Sequence, residues 1–147
     1  MGSRRNWRRV AAVAATLVAL SAAMAAIASA NVVLGGKAFA PNGKGWGTSE
    51  PAEIFNGGDP SGLITDVHWR SWGGAEAIGF GRNPIFKPHG GYYARPVRIK
   101  LQASAIGTCG GRRAYTRLSF REPKRPGGPL GPWLPWSGAS SICVAPY

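Results

Sequence analysis

Acidic residues, cysteine and histidine are all scarce in this chain of 147 residues: 6 Asp and Glu stand against 18 Lys and Arg, with 2 Cys and 2 His. So few soft ligands, without an HExxH or EF-hand spacing, leave no expectation of a metal or other cofactor. The Gly-x-Ser-x-Gly elbow of serine hydrolases is missing. Helix-turn-helix, zinc-finger and RNA-binding signatures are missing too, and no run of five cations occurs. Gly43-Lys44-Gly45-Trp46-Gly47-Thr48 lacks the spacing of a phosphate-binding loop.

What is present begins with an export signal. Arg4, Arg5, Arg8 and Arg9 precede an uncharged, Ala-dominated stretch from Val10 to Ala28, which ends in Ala28-Ser29-Ala30. A basic start, an apolar middle and a small-x-small cleavage site predict a signal peptide over residues 1 to 30. An Ala-rich stretch has little transfer energy compared with Leu or Ile, so a retained membrane anchor is the weaker reading. Ser3-Arg4-Arg5-Asn6-Trp7 matches a twin-arginine signal only loosely, which leaves general secretion as the expected route. The mature chain is expected to be secreted and extracellular, with cell-wall association open to it, with no stable membrane anchor after cleavage and no genomic nucleic acid as partner.

Removal of four arginines with the signal leaves 14 Lys and Arg against 6 acids, a net charge of +8 on residues 31 to 147. That balance favours acidic partners. The chain also holds 22 Gly and 12 Pro, a composition of many turns and few long helices. Cys109 and Cys143 in an exported chain predict a disulfide, which closes a long loop and contributes about 4 kcal/mol in the chain-entropy model.

Residues 31–53 read as an irregular N-terminal arm, with room for one short edge strand, and residues 54–147 as a β-rich secreted domain. Leu63, Thr65, Val67 and Trp69 alternate with Ile64, Asp66, His68 and Arg70. A second strand over 75–81 is expected to place Ile78 and Phe80 on the Val67 and Trp69 core face, with Ala75, Ala77, Gly79 and Gly81 across from the polar residues. Val97, Ile99, Leu101, Ala103 and Ala105 form the clearest alternation. Gly107 to Gly111 is the expected turn, and Ala114, Thr116, Leu118 and Phe120 alternate after it. Ile142 to Ala145 reads as a last strand. These patterns predict an all-β domain, a small antiparallel β-sandwich or barrel-like fold with long Gly/Pro-rich loops and one disulfide.

The segments Asn56-Gly57-Gly58-Asp59-Pro60-Ser61-Gly62, His68-Trp69-Arg70-Ser71-Trp72-Gly73-Gly74, Ala77-Ile78-Gly79-Phe80-Gly81 and Thr108-Cys109-Gly110-Gly111-Arg112-Arg113-Ala114-Tyr115 resemble small secreted proteins of unknown function from high-GC Gram-positive bacteria, the actinobacteria. The resemblance implies an exported β-rich domain with one disulfide and brings no assigned activity.

Pairing of the two clearest strands, with their apolar faces matched, brings Arg98, Lys100, Arg113, Arg117 and Arg121 together, with Tyr115 among them. The leading expectation is a non-catalytic domain that binds an anionic cell-envelope polymer or a protein partner through Arg98, Lys100, Arg113, Tyr115 and Arg117. A small extracellular hydrolase using Asp66 and His68 as an acid–base pair is the alternative, and a structural envelope protein the third. Leu134-Pro135-Trp136-Ser137-Gly138 resembles a sortase motif, but only nine residues follow it, without an apolar stretch or basic tail.

Overall fold

The computed structural model describes residues 31–146, so the expected signal peptide over residues 1 to 30 lies outside the described residues. The fold is organised by its longest apolar alternation. Val97, Ile99, Leu101 and Ala103 are buried in β5 (Val97–Cys109), while Arg98 between them is exposed. The partner is β6 (Arg112–Arg121), antiparallel, with Leu101 opposite Phe120 and Ala103 opposite Leu118. The ladder runs on to Cys109 opposite Arg112, so the turn is only Gly110-Gly111 rather than the longer segment from Gly107. Both glycines have positive φ, 56° and 78°. A two-residue hairpin needs that left-handed backbone, which glycine adopts without a Cβ clash.

Four further strands complete the chain's path through the sheet: β1 (Val33–Leu34), β2 (Ile54–Phe55), β3 (Leu63–Trp69) and β4 (Glu76–Asn83). The order is β1-β6-β5-β4-β3-β2, and β7 (Leu134–Pro135) pairs with the same edge of β6 that holds β1. Among the described residues only the β1–β6 pair is parallel. The protein is therefore all-β among the described residues, a mostly antiparallel curled sheet of half-barrel form. No helix among them is long and apolar enough to cross a membrane. The core lies inside the curl, where Ile54, Ile64, Ile99, Leu101, Leu118 and Ile142 are fully or almost fully buried.

The inward side of β4 is opposite to that expected from its sequence. Ala77, Gly79, Gly81 and Asn83 are buried, while Ile78 and Phe80 are only half-buried on the outer side. The reason is steric. A Cβ on Gly79 would meet the Trp69 ring at 2.8 Å, and one on Gly81 would run into Ile64. The small residues lie beneath the large side chains of β3 and leave no room for a ligand on that side. In β3 itself, Asp66 has φ 51° at an irregularity in the β3–β4 ladder. The inward set accordingly changes from Ile64 to Val67, so Thr65 does not join the core.

A similar break occurs at Ala105, φ 57°. Beyond it Tyr115, not Thr116, is buried, and Ala105 is exposed. The C-terminal stretch forms no strand over Ile142–Ala145. The edge of β6 is already held by β1 and β7, and Ile142 instead donates its N–H to Thr116 and accepts from Gly36. Cys109 and Cys143 form the expected disulfide, which suggests an extracellular or otherwise oxidising environment.

Indole and phenol groups tie the loops to this sheet. Trp46, Trp69 and Trp72 donate Nε1–H to the carbonyls of Phe55, Pro51 and Val32 at 2.9, 3.1 and 3.0 Å. Tyr115 is fully buried, its ring edge-on to Trp72. Its hydroxyl accepts from Gly73 N–H and donates to Gly74 C=O, both at 2.8 Å. Burial pushes the phenol pKa up, against the smaller opposing effects of the Gly73 hydrogen bond and the Arg113 charge. A neutral phenol retains the proton that Gly74 accepts. Tyr115→Phe leaves both loop groups without this partner and is expected to destabilise the domain by about 1–3 kcal/mol. Urea unfolding measures this; an unchanged midpoint would contradict the assigned role.

Candidate functional site

The sheet register carries cations across the outer face. Across β3, β4, β5 and β6, His68 stands opposite Phe80, Phe80 opposite Lys100, and Lys100 opposite Arg121. The neighbouring row runs from Thr65 to Arg82 to Arg98. At the usual interstrand spacing, the four-residue row spans roughly 14 Å. Two like-charged pairs, Arg82 with Arg98 and Lys100 with Arg121, therefore sit directly opposite each other. Such pairs oppose sheet formation.

Aromatic rings soften that repulsion without neutralising it. The Arg98 and Arg70 guanidinium carbons lie 4.5 and 4.9 Å from the Phe80 ring centroid. Lys100 Nζ and Arg121 Cζ lie 5.8 and 5.7 Å from that of Trp133. These are cation–π distances. Arg121 also donates Nε–H to Gly131 C=O at 2.6 Å, which fixes its direction. The acid recorded in an ion pair here is Asp66, 3.9 Å from Arg82 Nε, with both side chains more than half exposed. A long, solvated pair of this kind cancels little of the local charge.

Of the residues expected at the site, Arg98 and Lys100 lie together on this face. Arg117 shares it, opposite Ser104 and two rows from Lys100. Tyr115 does not, because its side chain is inside the core and its hydroxyl is bound to the Trp72–Gly74 loop. Arg113 lies near the hairpin tip, opposite Thr108. It is beyond the break at Ala105 and shares strand parity with Tyr115, so it is separated from the Arg117 side. Phe80, Arg82 and Trp133 join the face without having been expected there. The small-residue alternation Ala77, Gly79, Gly81 was the available signal for Phe80 and Arg82. A strand with glycine at every second place buries that side under bulky neighbours and turns the others outward.

Asp66 and His68 line a shallow depression of about 440 Å³, with Arg70, Phe80, Arg82 and Arg98. The recorded partner of Asp66 is Arg82, not His68. Two guanidinium groups over the Phe80 ring, with Arg82 in the same depression, form a surface suited to phosphate or carboxylate, which arginine binds through paired donors.

A second concavity, of about 360 Å³, opens where β6 ends and the Trp136 turn begins. Glu122 lines it together with Asp59, Asn83, Phe120 and Trp136. Burial pushes the Glu122 carboxyl pKa above the ordinary glutamate range. The native state then binds more protons than the unfolded chain between the ordinary value and the raised one. Stability from this group is full below that window and falls as pH rises through it. Glu122→Gln removes this dependence, so its urea midpoint is expected to gain on the wild type as pH rises through the window. Parallel pH curves for the two proteins would contradict the assignment.

No family model, no curated protein and no solved structure matches this chain, so its site is defined by its own geometry.

Proposed function

We propose that this chain is an exported, non-catalytic binding domain whose outer sheet face holds an anionic polymer of the cell envelope. The observation that carries this proposal is the pair of like-charged oppositions, Arg82 with Arg98 and Lys100 with Arg121, on one sheet face. Each costs stability in the free protein, and a polyanion laid across the rows offsets both. The basic N-terminus, apolar stretch and Ala28-Ser29-Ala30 support export, as does the Cys109–Cys143 disulfide. The resemblance to small secreted actinobacterial proteins fits the same assignment. An acidic protein partner would use the same charges, but regular rows of cations match a repeating polymer more directly.

A hydrolase built on Asp66 and His68 draws less support. The carboxylate is set against Arg82, and the surrounding groups are cations that attract an anion without forming a nucleophile.

Immobilised polyphosphate serves as the probe polymer. The protein is expected to be retained at low salt and released at high salt, as screening shortens the reach of its charges. The double substitution Arg98→Glu and Lys100→Glu should weaken binding by about tenfold or more, which corresponds to at least about 1.4 kcal/mol. Arg113→Glu carries the same single-site charge change at the hairpin tip and should have a much smaller effect. Equal losses for Arg113→Glu and for either Arg98→Glu or Lys100→Glu alone would show dependence on net charge only, and would overturn the assignment to this face.

A further inference from the structure

The cleft that contains Glu122 has chemistry opposite to that of the cationic face. Phe86, Phe120 and Trp136 contribute rings to its lining, and its volume of about 360 Å³ suits a small molecule. The fold has already used most of its hydrogen-bond donors. Asn83 is 2% exposed, and its Nδ2 donates to the carbonyls of Ser61 and Leu63 at 2.9 and 2.7 Å. Both amide hydrogens are thereby engaged and Oδ1 is left as an acceptor. No buried side-chain nitrogen or oxygen among the described residues lacks a partner. Asn83 thus forms part of the cleft's wall, with both amide hydrogens already spent on the backbone.

Asn56 is engaged at both ends. Its Oδ1 accepts from Trp136 Nε1 at 3.0 Å and its Nδ2 donates to Ser137 Oγ at 2.7 Å. The charged groups of the lining are the carboxylates of Asp59 and Glu122, to which Ser61 and Ser137 add hydroxyls. Among the described residues no Lys or Arg lines the cleft. Two of the chain's 6 acids thus converge on one aromatic-walled site in a strongly basic protein. A neutral hydroxylated ligand would supply donors but no charge. An ammonium group supplies three donors and the charge that a half-buried carboxylate lacks, through hydrogen bonds roughly twice as strong as neutral ones.

We infer that this cleft binds a primary ammonium group carried on a body the size of one amino sugar, with Glu122 as its counter-ion, Asp59 as a second carboxylate and Phe86 and Phe120 against its apolar side. The site is separate from the polyanion face and does not depend on it.

Glucosamine and N-acetylglucosamine test this directly, since they share a ring and differ in the charge on nitrogen. Each is titrated into isotope-labelled protein near neutral pH, and the Trp136 indole N–H and Asn83 side-chain amide signals are followed. Glucosamine is expected to shift both signals saturably, N-acetylglucosamine to leave them in place, and Glu122→Gln to weaken glucosamine binding by about tenfold. Asp59→Asn, a change at an exposed side chain, should weaken it less and keeps the test open if Glu122→Gln does not fold. Arg98→Glu with Lys100→Glu should leave the titration unaltered. Comparable shifts with N-acetylglucosamine, no shift with either sugar, or wild-type affinity in the folded acid variants would overturn the inference.

Discussion

Burial of Val97, Ile99, Leu101 and Ala103 on the inner side of the β5–β6 ladder sets the register on which the rest of the molecule depends. A slip by one residue would send all four into solvent and bring Arg98 and Lys100 inside. Complete burial of a branched aliphatic side chain is worth about 1.5–3 kcal/mol, whereas a cross-strand pair is worth about 0.2–1 kcal/mol. The apolar contacts therefore win, and Lys100 is held opposite Arg121 despite their repulsion. Ring contacts with Phe80 and Trp133 hold the long side chains but leave their charge available. The same contacts that stabilise the core thus impose the cationic rows.

The strongest local patterns were legible in the sequence. The alternation from Val97 to Ala103, the apolar positions Leu118 and Phe120, and the pairing of Cys109 with Cys143 all correspond to structure, whereas Ala114 is buried apart from them with Val33 and Cys109. What failed were inferences that assumed uninterrupted alternation. Left-handed backbone at Asp66, a residue type that tolerates it, and at Ala105, which usually avoids it, shifts which side chains face inward. No composition rule announces such a break. Tyr115 consequently moved from an expected ligand contact to the core, and Arg113 moved away from Arg117. On β4, hydrophobicity favoured Ile78 and Phe80 for the interior, but the close approach of Trp69 and Ile64 requires glycine on the inner side. Steric fit outweighed apolar preference there.

The distribution of charge divides the surface into two chemistries. Cations project from the outer side of the sheet, where regular strands space them in rows. Asp59 and Glu122 gather where a short turn, the end of β6 and the Trp136 segment meet. Hydrogen bonds from Trp136 to Asn56 and from Asn56 to Ser137 hold that junction across about 80 residues of sequence. Such a junction is invisible to periodicity, because no local pattern brings its members together. The cationic face was partly visible for the opposite reason, since strand alternation already places its members on one side.

The most direct test of the central claim is to locate the polyanion on the protein. Backbone and side-chain NMR shifts are followed as polyphosphate is added to isotope-labelled domain at low salt. The account predicts the largest shifts at Phe80, Arg82, Arg98, Lys100 and Arg121, with Trp133 affected and Arg113 near its starting position. Shifts centred on the hairpin tip, or spread evenly over every basic residue, would contradict it.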